Sequence, residues 1–239
     1  MAQVYSFYVT SFVFYNKTPY NKMIHEGKLM LTIPKIRNLF LEKYKTNDFV
    51  IDKSGCKMIE IIGSSFIADE NTIFGKVNHE YIKKELEWYC SQSLNVYDIP
   101  NTPTIWKQVA TKDGMINSNY GFLIFSENNF QQYNHVLKAL ASDSNTRRAC
   151  MVYTRPSIQH EYNIGGMSDF ICTNAVSYFI RDNKLHCVVQ MRSNDIWAGY
   201  RNDYAWQLWV LEKLQNDLRE KYEGLETGEI LWNSASLHM

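Results

Sequence analysis

The sequence predicts an α+β fold, because segments of strand and helix character are mixed without the regular strand–helix–strand alternation of a parallel sheet. Two further observations support it. Residues 170–181 and 184–192 both read as strands and meet at Asp182-Asn183, a pair suited to a tight hairpin turn. Residues 201–220 then read as a long helix. No internal repeat and no Gly/Ser/Pro-rich linker divides the 239 residues, so the chain is not cut into two domains.

The remaining elements follow in chain order. Residues 34–45 open with Pro34, which suits a first helical turn, and carry Ile36, Leu39, Phe40 and Tyr44 at helical spacing. Residues 57–68 are rich in Ile, Ser and Phe and predict a strand, with Gly63 marking a bulge or bend. Asn78 to Gln92 predicts a helix with Asn78 as its N-cap. A helix over about 128–141, a strand over 148–154 and a final strand near 229–233 complete the set.

Composition excludes several classes of function. The 25 basic and 25 acidic side chains cancel, and no basic run exists to neutralise a phosphate backbone, so no direct nucleic-acid partner is expected. No stretch approaches the ~18 uninterrupted apolar residues of a membrane span. The first twenty residues lack a basic n-region and a small-residue cleavage site. Five cysteines without paired spacing point to a reducing, cytoplasmic location, and no spacing suits a zinc site. The eleven glycines contain neither a dinucleotide fingerprint nor a P-loop, and there is no serine-centred nucleophile elbow.

A thiolate is the strongest nucleophile left at neutral pH. Cys172 falls within a predicted strand, where a thiol among apolar neighbours is inert. With a turn at Asp182-Asn183, Ser193 falls opposite Cys172 and Arg192 one residue away. Strict alternation places Arg192 on the other face, so a bulge is required before its guanidinium can lower the thiol pKa or hold an anion. Glu85 shares a helical face with Ile82, Leu86 and Tyr89. Either it is a general acid/base with a raised pKa, or it stands at the stripe's edge and reaches water. Arg147-Arg148 reads as a solvated pair or as a phosphate clamp. Asn202-Asp203, at the start of the long helix, reads as a cap or as part of a site.

In order along the chain, these pieces resemble the thymidylate synthase superfamily, and more closely its deoxycytidylate 5-hydroxymethylases from T-even-like phages. The matching stretches are Asp52-Lys-Ser-Gly, Ile59-Glu-Ile-Ile-Gly-Ser-Ser-Phe-Ile-Ala-Asp, Lys84-Glu-Leu-Glu-Trp-Tyr, Ile116-Asn-Ser-Asn-Tyr-Gly, Arg147-Arg148 through Tyr153-Thr-Arg-Pro-Ser, Gly166-Met-Ser-Asp-Phe-Ile-Cys-Thr-Asn, Met191-Arg-Ser-Asn-Asp, Arg201-Asn-Asp-Tyr-Ala-Trp-Gln, and Leu231-Trp-Asn through Ser236-Leu-His. They are collinear and cover roughly residues 30 to 238.

The resemblance implies a large twisted mixed sheet with packed helices, dimerising through the sheet. It makes residues 30–239 one catalytic domain, short at its C-terminus, behind a segment 1–29 that has no counterpart in the family. The position two after His238, a tyrosine in the family, helps bind the sugar. By the same resemblance Cys172 adds to C6 of the pyrimidine, Glu85 organises water and proton transfer, and Asp203 selects the base. Lys53, Arg192, Ser193 and His238 would hold the nucleotide, with Tyr120 in a loop near the thiol. Arg147 and Arg148 would reach the phosphate across a homodimer interface, and Trp106, Asp195 and Gly199 would contact the folate cosubstrate. The implied reaction is hydroxymethylation of dCMP by 5,10-methylenetetrahydrofolate and water, without a metal, in association with other phage nucleotide-synthesis enzymes. Asparagine stands at the Asp203 position in thymidylate synthases. An acceptor-only carboxylate suits the N4 amine and protonated N3 of cytosine, whereas uracil would set O4 against its lone pairs. The alternatives are methylation of dUMP or a truncated, catalytically impaired nucleotide-binding subunit.

Overall fold

The computed structural model describes residues 24–25, 28–52 and 54–239. Most of the 1–29 segment, and Lys53, lie outside the described residues.

A short antiparallel pair, β1 (Ile24–His25) and β2 (Lys28–Leu29), precedes β3 (Leu31–Thr32) and α1 (Ile33–Lys45). Pro34 sits in the first turn of α1 as its fixed φ favours, and Asp69 Oδ1 caps that turn by accepting the Ile33 N–H at 2.9 Å. Ile33, Ile36 and Phe40 bury the inner face; Leu39 and Tyr44 stay largely exposed. The strand expected over 57–68 is divided. β4 (Val50–Ile51) and β5 (Lys57–Met58) form a separate hairpin, whose turn is tied by Asp52 Oδ1 to the N–H groups of Ser54 and Cys56, both at 2.8 Å. Ile59 instead exchanges two backbone hydrogen bonds with Met239, and β6 (Glu60–Ile67) follows. Gly63 bends β6 at φ +68°.

Asn78 caps α2 (His79–Ser91) as expected, its Oδ1 accepting the Tyr81 N–H at 3.0 Å. Two short helices, α3 (Thr104–Val109) and α4 (Tyr120–Phe125), precede α5 (Gln132–Ser142). α5 begins later than the predicted 128, because Phe130 and Gln131 take left-handed φ values of +61° and +47°. β7 (Cys150–Val152) is also shorter than predicted, so Arg147 and Arg148 lie in the loop ahead of it. After α6 (Ile158–Glu161) come β8 (Thr173–Arg181) and β9 (Lys184–Asp195), joined at Asp182 and Asn183 with φ +50° and +57°, as a primed hairpin turn demands. The chain closes with α7 (Gly199–Leu218) and β10 (Glu226–His238).

β10 is far longer than the predicted 229–233, because it runs between two partners, parallel to β9 and antiparallel to β6, and both ladders carry it on. The resulting six-stranded sheet has the order β3-β6-β10-β9-β8-β7 and is mixed. Across it, Phe66, Trp232, Val189, Val176 and Met151 line up in one row, all buried. The next row, Ser65, Asn233, Gln190, Ala175 and Val152, points to the opposite face, where Val152 is half exposed. Helices cover the first face, with α7 along β9 and β10, and the second stays open in the single chain. Among the described residues no helix is long and apolar enough to cross a membrane.

Candidate active site

The bulge that the hairpin arithmetic requires is present. The β8–β9 ladder pairs Ala175 with Gln190 but Thr173 with Met191, leaving Asn174 as the extra residue. Cys172 stands just ahead of β8 rather than inside a strand, now directly across from Arg192, whose N–H donates to the Cys172 carbonyl at 2.7 Å. Arg192 Nη2 reaches Sγ at 3.5 Å and the Phe170 carbonyl at 3.1 Å, and the guanidinium lies 4.8 Å over the Phe170 ring. Burial and the Asp203 carboxylate push the thiol up to about 11; Arg192 opposes them.

Asp203 reaches the same site from α7. The helix begins at Gly199, and the group that caps it is Asp195, whose Oδ1 accepts the N–H groups of Trp197, Ala198 and Gly199 at 3.1, 2.6 and 3.0 Å. Capping is therefore not the role of Asn202-Asp203. Asp203 lies in the second turn, with Oδ2 accepting from Asn194 Nδ2 at 2.7 Å and Oδ1 from the Tyr120 hydroxyl at 3.3 Å. The residue keeps some exposed surface, yet enough protein surrounds the carboxyl that burial, with the nearby Glu85 carboxylate, pushes its pKa up to about 8.

Tyr120 opens α4 rather than standing in a loop. Asn119 caps that helix through Phe122 N–H at 2.8 Å, while its own Nδ2 holds the carbonyls of Trp88 and Ser93. α4 can lie this close to α2 because of Gly121: a Cβ there would fall 1.8 Å from the Tyr89 carbonyl oxygen. Tyr120 stacks on Tyr89, centroids 5.2 Å apart, and meets Tyr153 edge-on.

Glu85 is buried on α2 beside Trp88 and Tyr89. The Tyr81 hydroxyl donates to its Oε1, and Trp106 Nε1, from α3, donates to the Tyr81 hydroxyl at 2.9 Å and to Oε1 at 3.3 Å. Burial pushes Glu85 up to about 7, with the Tyr81 and Trp106 bonds holding it lower than burial alone would. A raised carboxyl pKa stabilises the folded chain below the unfolded value, 4.5, and this contribution is lost as pH rises through about 7. Glu85→Gln is therefore expected to match wild-type stability near pH 4 and to gain on it, by on the order of 3 kcal/mol, near pH 8. Urea midpoints at the two pH values measure this; an unchanged difference would contradict it.

Ser193 pairs with Ser236 of β10, and His238 pairs with Asp195, its Nδ1 lying 3.4 Å from Ser236 Oγ. These residues and Gly199 gather at the end of the sheet where β9 passes into α7. Arg147 and Arg148 do not join them. They are exposed beside a surface depression shared with Ser142, Asp143 and Asn145. Three participants were not singled out from sequence. Tyr81 is four residues before Glu85 on one helix face, a spacing that signals contact. Asn194 lies in the Arg192–Asp195 stretch without a cue to its direction. Asp169 binds the N–H groups of Asn117 and Ser118 and the Ser118 hydroxyl, at 2.7, 2.8 and 2.7 Å, fixing the approach to α4 against that to Cys172, across a separation no local pattern reveals.

Comparison with known proteins gives a consistent picture. The family described as thymidylate synthase matches residues 26–239. Proteins named deoxycytidylate 5-hydroxymethyltransferase from Enterobacteria phages T4 and T6 are 54% identical over 212 residues, 87% of this chain and 86% of theirs. A thymidylate synthase of Francisella tularensis is 24% identical over 175 residues, 69% of this chain and 62% of its own. Among solved structures, the thymidylate synthase of T4 phage superposes with a TM-score of 0.67 at 18% identity, over 86% of this chain and 76% of that one. The thermostable thymidylate synthase A of Bacillus subtilis gives 0.61 at 20% identity, over 87% and 79%. Both share the fold.

Proposed function

This chain belongs to the thymidylate synthase family, and from that premise we propose that it is a deoxycytidylate 5-hydroxymethyltransferase, using 5,10-methylenetetrahydrofolate and water to convert dCMP to 5-hydroxymethyl-dCMP. One observation carries this reading: the carboxyl of Asp203, held by Tyr120, and the thiol of Cys172, beside Arg192, face one site, with the Asp203 charge near enough to raise the thiol.

Cys172 Sγ adds to C6 of the cytosine ring, with Arg192 at 3.5 Å lowering the thiol's pKa against burial and the Asp203 charge. Asp203 accepts from the N4 amine and pairs with N3, so that charge pushed into the ring at C5 is met by a proton on the far side. The 5′-phosphate is held by Arg192 and Ser193 with Lys53, and by Arg147 and Arg148 of a second copy; His238 and Tyr120 line the rest of the nucleotide. The open face of the sheet, with half-exposed Val152, supports pairing of two copies there.

The residues for the folate fit a flat, polar group. Trp106 offers an indole already fixed by Tyr81 and Glu85, Asp195 keeps Oδ2 outside the helix cap, and at Gly199 a Cβ would come within 3.3 Å of the Asp195 side chain. When bound, methylenetetrahydrofolate supplies the one-carbon unit. At the last step Glu85 takes a proton from water, the resulting hydroxide adds to the exocyclic methylene on C5, and the C6–S bond breaks to return the Cys172 thiolate. A group poised at about 7 suits that exchange.

Incubating the protein with C5-tritiated dCMP should release tritium only when methylenetetrahydrofolate is present. No folate-dependent release would count against the proposal.

A further inference from the structure

Asn194 is 3% exposed, near the end of β9, with its backbone paired to Leu237 of β10. Its Nδ2 is committed to Asp203 Oδ2 at 2.7 Å, while its Oδ1, on the same planar amide, is buried without a partner among the described residues. A buried amide oxygen left unpaired is unfavourable unless a donor arrives. The Asn194 bond has a second consequence. An amide N–H pointed at Oδ2 keeps that oxygen an acceptor, whereas the Tyr120 hydroxyl at Oδ1 can turn to accept, so any proton carried by Asp203 belongs on Oδ1. Two acceptors, Asp203 Oδ2 and Asn194 Oδ1, are thus carried by side chains already joined by a 2.7 Å hydrogen bond. The backbone around them is held in place, because Asp195 locks the β9–α7 junction through three N–H groups.

Resting on the dCMP reading above, we propose that Asn194 is a second specificity-determining residue: together with Asp203 Oδ2 it forms a two-acceptor receptor for the two diverging hydrogens of the cytosine N4 amine. A uracil O4 would meet lone pairs from both oxygens. Discrimination then comes from the pair, with Asn194 both fixing the polarity of Asp203 and contributing an acceptor of its own.

The test compares kcat/KM for dCMP and for dUMP in wild type, Asn194→Leu, which keeps the volume, and Asn194→Ala, with thermal melts to identify folded variants. The dCMP-to-dUMP ratio is expected to fall about tenfold or more, mainly through a raised KM for dCMP. A merely structural role would lower both efficiencies alike, so an unchanged ratio would overturn the inference, as would failure of both variants to fold. If wild type does not turn over dCMP, the parent reading fails instead. The ratio of equilibrium dissociation constants for the two nucleotides then reads the role of Asn194 by itself.

Discussion

Cys172→Ser is expected to reduce hydroxymethyl-dCMP formation by about ten-thousand-fold or more while leaving dCMP binding within a few-fold. The substitution is nearly isosteric and removes no hydrogen bond that holds β8 against β9, since the ladder bond there runs between the Cys172 carbonyl and the Arg192 N–H. What is lost is chemistry. Burial and the Asp203 carboxylate hold the thiol at about 11 even with the Arg192 guanidinium at 3.5 Å lowering it, yet a thiolate is reached far more readily than an alkoxide, and sulfur is intrinsically a strong nucleophile. A serine hydroxyl in the same place has a far higher pKa than the thiol and is a much weaker nucleophile. Folate-dependent tritium release measures the rate and calorimetry the binding. Turnover within a hundredfold of wild type would show that another group attacks C6.

The second large effect is expected at Asp203. Asp203→Asn gives the site an amide that can donate to O4 and accept from N3–H, so kcat/KM for dCMP should drop by about a thousand-fold or more while dUMP becomes the better nucleotide. Two structural observations sharpen the prediction. Removing the carboxylate takes away the charge that, after burial, most raises the Cys172 thiol, so the thiol should titrate lower in the variant. The same change relieves the mutual repulsion with Glu85 that raises Asp203 itself. Thiol alkylation rates across pH measure the first effect, and nucleotide kinetics the selectivity. A variant that retains dCMP preference, with an unmoved thiol, would remove Asp203 from substrate selection.

What could be read from the sequence was local. The Asp182-Asn183 turn, Pro34 in the first turn of α1 and Asn78 at the start of α2 each need only a few neighbouring residues, and each is found in place. Hairpin arithmetic went further, since it required a bulge between Cys172 and Arg192, and Asn174 supplies it. Long-range features were not legible. Asp195 caps α7 from the end of a strand, so the helix begins earlier than expected and Asp203 moves from its cap into its second turn. β10 is prolonged through polar residues because partners on both sides pair with them. α3, α4 and α6 span one turn or little more, too short for a periodic signal, yet they place Trp106 and Tyr120. The motif stretches pointed to the residues of the candidate site; which oxygen faces which donor needed the coordinates.

The most direct measurement is product identity, with dCMP, dUMP and CMP presented side by side to the protein and methylenetetrahydrofolate. The account predicts a hydroxymethylated nucleotide from dCMP, with the folate recovered as tetrahydrofolate. A methylated product from dUMP accompanied by dihydrofolate, or no product from dCMP, would contradict it.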